Sequence, residues 1–365
     1  MRFGPMPFNR AMNNKIKILF AGALLLAYSC KHKNEQEANI TISPEAGTNY
    51  KAGDVVKISV GLPSGISIDS VVYLVDSVRI ASRKDSSGIS LKTDTIPLGI
   101  KLVTAKVYTD GKAQEVSTNI VIMAAKAPEE LAYKVIKKFP HDTSAYTEGL
   151  LYQDGYFYES TGNKGHSTLR KVDVNTGKVV QKAKLDANYF GEGISIVGDK
   201  IIMLSYTQPE TAFIFDKNTF KLLATFNNPI GVEGWGMTFD GNKLYFDDST
   251  NRIYFLDKNT YHQTGYIDVY TDKAPVDSVN ELEYIDGKLY SNVYEHDDIL
   301  VIDPKTGAVL QKADMKNLWP EADRPKNFDE NENVLNGIAW DEKGKRLFIT
   351  GKKWPYMYQV EFVKK

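Results

Sequence analysis

One phrase recurs through the last two-thirds of the chain: a short apolar strand, a tight turn and a second strand. It begins at Glu148, Glu192, Trp235, Glu281 and Asn336. A second motif, Asp followed three residues later by Thr, recurs in phase at Asp173, Asp216, Asp257 and Asp303. Such Asp–Thr pairs favour turns, here between the third and fourth strands of each unit. Units of about 40 to 50 residues with four strands and no helix are typical of β-propeller blades. The sequence therefore predicts an all-β fold with a five-bladed β-propeller over residues 133–365.

The two ends of this repeat indicate how the ring closes. The last unit shows three clear strands and ends in MYQVEFVKK, whereas an additional strand, YKVIKKF at 133–139, precedes the first unit. Pairing the early strand into the last blade would cover exposed strand edges. A long β-sandwich or an open solenoid explains the period less well, because neither requires the first strand to return to the last.

Residues 40–123 form a different region, with alternating apolar residues and frequent turn signals but no helical period. Several short strands of this kind predict a small immunoglobulin-like (Ig-like) β-sandwich. The region holds no clustered catalytic residues, which favours a spacer or docking module. Residues 124–132 are then a linker to the propeller.

The N-terminus has the pattern of an export signal. Lysines precede the apolar run IKILFAGALLLAYSC, which ends at the only cysteine, Cys30, and is short for a membrane span. The run predicts a bacterial lipoprotein signal over 1–30, lipidation of Cys30, a tether over 31–39, and anchoring in the cell envelope. A plain secretory signal is the alternative. MNNKIKILF, from Met12, is the more conventional signal opening.

The balance of charge argues against some partners. The net charge of −1 gives no sign of binding to nucleic acid. A single cysteine excludes an intramolecular disulfide. Nothing in the sequence indicates a subunit interface, so we expect a monomer.

The heads of the first strands should meet around the propeller axis, because these strands line the central channel. Acids, amides and an indole occupy the heads, where small or apolar residues are usual: Glu148, Glu192, Trp235, Asn280, Glu281 and Asn336. They could instead be satisfied polar strand ends or ligands of a central structural cation, so such a cation stays possible. No catalytic cofactor is predicted.

Glu192 lies between two glycines, which suggests space for a small substrate beside its carboxylate. A carboxyl group near aromatic residues and another acid has a raised pKa, suited to proton transfer near neutral pH. Tyr206 and Tyr294 each follow an inner-strand polar residue by the same interval, and Lys352 lies on the matching strand of the last unit.

Other catalytic patterns are absent from the sequence: GxSxG, HExxH, the P-loop and GxGxxG. The histidines are scattered rather than spaced as metal ligands. His141 is the one histidine whose position could bring it to the site, because it stands just before the first inner strand.

Several long phrases resemble the plant- and bacterial-type glutaminyl-peptide cyclotransferases, also called glutamine cyclotransferases. They are FPHDTSAYTEGLLY, YFGEGISI, EGWGMTFDG, VNELEYIDGKLYSNVY, LNGIAWD and FITGKKWPYMYQVEF, in order over residues 133–365. The resemblance implies a five-bladed propeller that converts N-terminal glutamine of peptides or proteins to pyroglutamate and releases ammonia without a catalytic metal. It implies Glu192 as general acid and base, with Asn280 and Lys352 holding and polarising the substrate.

The resemblance also implies a substrate-contacting set, with departures from the plant pattern. Trp235 matches a family tryptophan, whereas Tyr206 and Tyr294 stand where the plant pattern has tryptophan, and Glu148 stands for the glutamine of TQGL. Tyr146, in the same phrase as Glu148, is counted with this set. We expect these departures to affect the substrate preference and the rate of cyclisation rather than its chemistry.

Two other functions stay open at this point. A non-enzymatic surface propeller could bind peptides or glycans with the same aromatic mouth, because the fold alone does not decide function. A lactonase-like enzyme would need a central calcium, to which Glu148, Asn280 and Asn336 could contribute ligands.

Overall fold

The computed structural model describes residues 39–206, 210–228 and 230–365. The predicted signal, Cys30 and nearly all of the tether lie outside the described residues. No helix in these ranges has the length and hydrophobicity of a transmembrane segment.

The N-terminal region contains eight strands in two sheets. They are β1 (Thr41–Ser43), β2 (Thr48–Lys51), β3 (Val55–Gly61), β4 (Ser70–Val75), β5 (Val78–Arg83), β6 (Ile89–Lys92), β7 (Gly99–Thr109) and β8 (Lys112–Met123). One sheet has the order β1-β3-β6 and the other β2-β8-β7-β4-β5. Burial alternates along β3, β4 and β7, so each strand turns one apolar face inward. The eight strands agree with the predicted alternation; the Ig-like assignment and the domain boundaries stay predictions.

Four sets of four antiparallel strands follow in chain order, and we number them sheets 1 to 4. The first three are separate sheets, and the fourth is continuous with the last set of strands in one eight-stranded sheet. Sheet 1 comprises β10 (Thr147–Gln153), β11 (Tyr156–Thr161), β12 (Thr168–Asp173) and β13 (Val179–Lys184). Sheet 2 comprises β14 (Gly191–Val197), β15 (Lys200–Ser205), β16 (Thr211–Asp216) and β17 (Leu222–Asn227). Sheet 3 comprises β18 (Met237–Phe239), β19 (Lys243–Asp247), β20 (Arg252–Asp257) and β21 (Gln263–Asp268). Sheet 4 comprises β22 (Val279–Ile285), β23 (Lys288–Val293), β24 (Asp298–Ile302) and β25 (Val309–Asp314).

Sheet 5 is built from both ends of the repeat region. Its strands are β26 (Leu335–Asp341), β27 (Arg346–Gly351), β28 (Tyr356–Lys364) and the earlier β9 (Glu129–Pro140). β9 pairs with β28 in antiparallel register from Pro140 opposite Tyr356 to Leu131 opposite Lys364. The predicted return of 133–139 to the last unit is therefore observed, although β9 begins inside the segment expected to be a linker. The first residues of β9 also pair with β25, which joins sheets 4 and 5.

The five first strands form a closed cycle. β10 contacts β14, β14 contacts β18, β18 contacts β22, β22 contacts β26, and β26 contacts β10 again. Buried side chains fill the spaces between neighbouring sheets, as where Ile194 and Met203 of sheet 2 pack with Leu151 of sheet 1. The result is a propeller-like ring, in which the heads of the first strands meet at one end.

The Asp–Thr motif forms the turn that the sequence predicts. Asp173 accepts hydrogen bonds from the backbone and hydroxyl of Thr176 at 2.9 and 2.7 Å, between β12 and β13. Asp216 makes the same pair of bonds to Thr219. These bonds satisfy turn backbone groups and fix the connection to the outermost strand.

A short 3-10 helix, Glu321–Asp323, lies in the long connection between β25 and β26. This connection accounts for the longer step between the last two repeats.

Candidate active site

Irregular strand pairing sets the positions of the polar residues at the strand heads. In sheets 1, 2, 4 and 5 the register of the first two strands shifts just after the first residue of the first strand. The irregular interval contains Glu148, Glu192, Asn280 and Asn336 in turn. A β-bulge bends a strand and redirects side chains. The bulge therefore allows a buried polar side chain to point along the ring axis rather than into the space between sheets.

The residues that follow three of the second strands complete the same end of the ring. Tyr206, Tyr294 and Lys352 come directly after β15, β23 and β27. Their equivalent places explain the equal sequence interval between each tyrosine and its inner-strand partner.

These elements enclose a cavity of about 300 Å³. Its lining contains all eight residues that the sequence predicts for catalysis and substrate binding, and two more. The ten are Tyr146, Glu148, Phe190, Glu192, Tyr206, Glu233, Trp235, Asn280, Tyr294 and Lys352. Phe190 and Glu233 were missed, although each adjoins a glycine-rich phrase that carries a predicted residue.

A buried ion pair joins sheet 1 to sheet 5 inside this cavity. The Nζ atom of Lys352 lies 2.9 Å from Oε1 and 2.8 Å from Oε2 of Glu148. Both side chains are almost fully buried. Burial raises the pKa of Glu148 to about 7 against the opposing pull of Lys352. Burial acts to lower the pKa of Lys352, but the charge and hydrogen bond of Glu148 act against it and the pKa is raised, so the lysine keeps its proton.

Glu192 is the second buried acid of the cavity. Burial raises its pKa well above the usual range, and the negative charge of Glu148 raises it further. Lys352 opposes this shift but is already paired with Glu148. Two acids that share one cation cannot both ionise cheaply in a low-dielectric site. We therefore assign the carboxylate to Glu148 and the exchangeable proton to Glu192.

Aromatic rings form the walls around these charges. Phe190 contacts Tyr206 at 4.8 Å between ring centroids and Tyr146 at 6.2 Å. On the other side Trp235 contacts Tyr294 edge to face at 5.4 Å, and its indole N–H donates to Glu233 at 2.9 Å. Lys352 lies 4.6 Å from the ring centre of Tyr146 and 5.3 Å from that of Tyr294, so it connects the two aromatic groups by cation–π contacts.

Asn280 contributes an unsatisfied acceptor. Its Oδ1 atom is buried and has no hydrogen-bond partner among the described residues. A buried amide oxygen without a partner carries a desolvation cost that a ligand N–H can remove. Asn280 is thus suited to hold a nitrogen of the substrate.

Glu281 and Asn336, expected at the same mouth, do not line the cavity. Glu281 accepts hydrogen bonds from the backbone N–H groups of Leu150 at 3.0 Å and Ile338 at 2.8 Å. Asn336 donates to the carbonyl of Thr147 at 2.9 Å. Through these bonds each ties first strands together across the ring, although the Oδ1 of Asn336 is buried and has no partner among the described residues.

His141 also serves the fold. Its ring nitrogens lie 2.7 Å from the carbonyl of Trp354 and 2.8 Å from Oε1 of Glu159, and the ring is buried outside the cavity. Burial acts to lower the pKa of His141, but the charge of Glu159 outweighs it and raises the pKa. The pair fixes the segment that leads to Tyr146 and Glu148.

The glycine after Glu192 is required by its neighbours rather than by a substrate. A Cβ on Gly193 would overlap the carbonyl of Trp235 and lie 2.6 Å from the backbone nitrogen of Met237. Gly149 and Gly236 meet the backbone of the next first strand in the same way. Close approach of the strands near the axis, not substrate access, therefore explains these glycines.

Replacing Gly193 with Ala is expected to destabilise the fold by about 3 kcal/mol or more, because backbone atoms cannot yield as a side chain can. Urea unfolding followed by tryptophan fluorescence measures the change. Gly234→Ala is the matched control, since a Cβ there meets nothing closer than 3.5 Å. Equal stability of the two variants would contradict this account.

Within residues 39–206, 210–228 and 230–365, no three His, Cys, Asp or Glu side chains cluster as ligands for a metal ion.

Comparisons with known proteins agree on one family. A family model described as glutamine cyclotransferase matches residues 102–362. A glutaminyl-peptide cyclotransferase of Arabidopsis thaliana is 38% identical over 229 residues, which cover 62% of this chain and 70% of that protein. The crystal structure of Myxococcus xanthus glutaminyl cyclase superposes with a TM-score of 0.59 and 31% identity, over 64% of this chain and 98% of that one.

Proposed function

The chain belongs to the glutamine cyclotransferase family, and we propose that it converts the N-terminal glutamine of peptides and proteins to pyroglutamate. In this proposal Glu192 is the general acid and base, and the chemistry needs no metal. The observation that carries it is the buried acid pair: Glu192 lies in an aromatic-walled cavity beside Glu148, whose carboxylate already holds Lys352, the one lysine among the described lining residues.

The reaction requires one proton to move between two nitrogens. The α-amine attacks the γ-carboxamide carbon, a new C–N bond forms, and the bond to the amide nitrogen breaks to release ammonia. Glu192 gives its proton to the departing nitrogen, and the carboxylate that remains takes one from the attacking nitrogen, so the acid is regenerated. Burial and the charge of Glu148 raise the pKa of Glu192 and so favour the protonated form from which this transfer starts.

The other cavity residues orient and polarise the substrate. The Oδ1 of Asn280, which has no hydrogen-bond partner among the described residues, accepts from a substrate N–H. Lys352 has three N–H groups, of which two face Glu148, so one N–H and the positive charge can stabilise the oxyanion that forms during attack. Tyr146, Tyr206, Trp235 and Tyr294 exclude water and fold the glutamine side chain toward its amine.

Incubating the purified protein with a Gln-Ala-Ala-Ala amide peptide is expected to release ammonia equally with and without a chelator. The same peptide with an acetylated amine should release none, because its nucleophile is blocked. Enzymatic ammonia assay and mass spectrometry of the peptide measure both. Loss of ammonia with the chelator would refute the metal-free mechanism. No ammonia in either case would favour a non-enzymatic peptide- or glycan-binding module.

Several assignments rest on the sequence pattern and join this proposal. Residues 133–365 are a five-bladed β-propeller, and 40–123 are an Ig-like module that spaces or docks it. Cys30 is lipidated, and the protein is an exported monomer held at the cell envelope.

A further inference from the structure

A second cavity, of about 520 Å³, lies on sheet 1 and is strongly basic. Its lining includes Lys164, His166, Arg170, Lys182 and Lys184. Lys164 and His166 belong to the connection between β11 and β12, and the other three lie on β12 and β13. We call this cavity the basic pocket.

Strand register places these cations together. Arg170 is directly opposite Lys182, and Thr168 is directly opposite Lys184. Residues two apart on a strand share a face, so Arg170, Lys182 and Lys184 project on one side of the sheet. Like charges directly opposite each other destabilise a strand pair. The arrangement therefore costs stability unless anions compensate it, and Glu159, directly opposite Arg170 on β11, supplies one.

The protein itself supplies only part of that compensation. Arg170 donates to Asp142 at 3.0 Å. Among the described residues, Lys164, Lys182 and Lys184 form no ion pair, and the two β13 lysines are exposed. Up to three positive charges thus remain for a ligand.

The equivalent positions in other sheets are not basic in this way. The place of Lys184 is taken by Asn227 in sheet 2, Asp268 in sheet 3 and Asp314 in sheet 4. In sheets 3 and 4 the place of Lys182 is taken by Tyr266 and Lys312, and Lys312 lies 3.6 Å from Asp298. In sheet 5 the two places are taken by Pro140 and Lys138, so sheet 1 is the one sheet that carries a lysine at both.

The basic pocket shares a wall with the active-site cavity. Gly162 packs against Phe190, and a Cβ on it would lie 2.8 Å from Oε1 of Glu148, while the next residue, Asn163, lines the basic pocket. Ser144 lines the basic pocket and Tyr146 the active site, and the N–H of Gly162 donates to the carbonyl of Tyr146. A peptide advances about 3.3 Å per residue when extended. Residues shortly after an N-terminal glutamine can therefore reach the basic pocket.

We propose that the basic pocket binds carboxylates of the substrate peptide downstream of its N-terminal glutamine, so that the enzyme prefers acidic substrates. This inference rests on the proposed cyclotransferase activity. The carboxylates are those of Asp or Glu side chains or of the C-terminus of a short peptide, and substrates with either group alone separate the two sources. Because the lysines are exposed, salt weakens the preference.

The test compares kcat/KM for Gln-Ala-Ala-Ala amide, Gln-Ala-Glu-Glu amide and Gln-Ala-Ala-Ala with a free C-terminus. At low salt the wild type should favour the Glu-containing peptide over the neutral amide by about five- to tenfold, the size expected of two or three exposed ion pairs. If the wild type instead prefers Gln-Ala-Ala-Ala with a free C-terminus, the group that the basic pocket binds is the C-terminal carboxylate.

The double variant Lys182→Glu and Lys184→Glu should abolish or invert the preference and leave the neutral amide unaffected. Lys178→Glu with Lys221→Glu is the matched control, because these exposed lysines lie in the turns at the other end of sheets 1 and 2. Equal turnover of all peptides by the wild type, or an equal loss in both double variants, would overturn the subsite. No turnover of any peptide would overturn the proposed activity instead.

Discussion

Replacing Glu192 with Gln is expected to lower kcat/KM for a glutaminyl peptide by about 10²- to 10⁴-fold, the usual contribution of a positioned general acid and base. The fold should survive, because burial raises the pKa of this carboxyl group and so favours its neutral form, and a carboxamide has nearly the same shape. Coupled assay of ammonia gives the rate, and thermal unfolding gives the stability.

Glu361→Gln serves as the control for this experiment, since Glu361 is an exposed residue of β28 outside the cavity. It should match the wild type in both measurements. Near-normal turnover by Glu192→Gln would remove Glu192 from the mechanism and leave Glu233 as the acid to test next. A large loss of stability would show instead that the carboxylate is needed for folding.

The repeat was enough to predict most of the fold. Strand pairs and Asp–Thr turns recur at regular intervals. Each turn forms through hydrogen bonds between residues close in sequence, so it does not depend on distant contacts. The return of 133–139 to the last sheet could also be predicted, because an unpaired edge would remain without it. The bounds of β9 could not, since its first residues pair with β25, a contact between residues far apart in sequence.

The eight predicted residues line one cavity, but Phe190, Glu233 and the pairings among the site residues could not be predicted. The signal in the sequence was position along the repeat: the predicted residues lie at or near the heads of first strands or directly after second strands, and these places meet in one cavity. Which of two adjacent residues faces the cavity depends on a bulge, so Asn280 lines it while its neighbour Glu281 ties strands together. The bond between Glu148 and Lys352 joins residues from opposite ends of the repeat region and had no signal in the sequence.

That ion pair gives the second large effect. Replacing Lys352 with Met is expected to destabilise the protein by about 3 to 5 kcal/mol, because it leaves Glu148 buried without its cation. It should also lower kcat/KM by 100-fold or more, since the oxyanion loses its positive charge. Urea unfolding and steady-state kinetics measure the two effects separately.

The double variant Glu148→Gln with Lys352→Met separates stability from catalysis. Removing both charges should restore most of the lost stability, because a buried pair contributes little net stability over a neutral replacement, while activity stays low. Glu148→Gln alone removes a charge that raises the pKa of Glu192, so the limb of the pH–rate profile that follows Glu192 should move to lower pH. If the double variant regains activity, or that limb does not move, the pair is only structural and Glu192 acquires its pKa from burial alone.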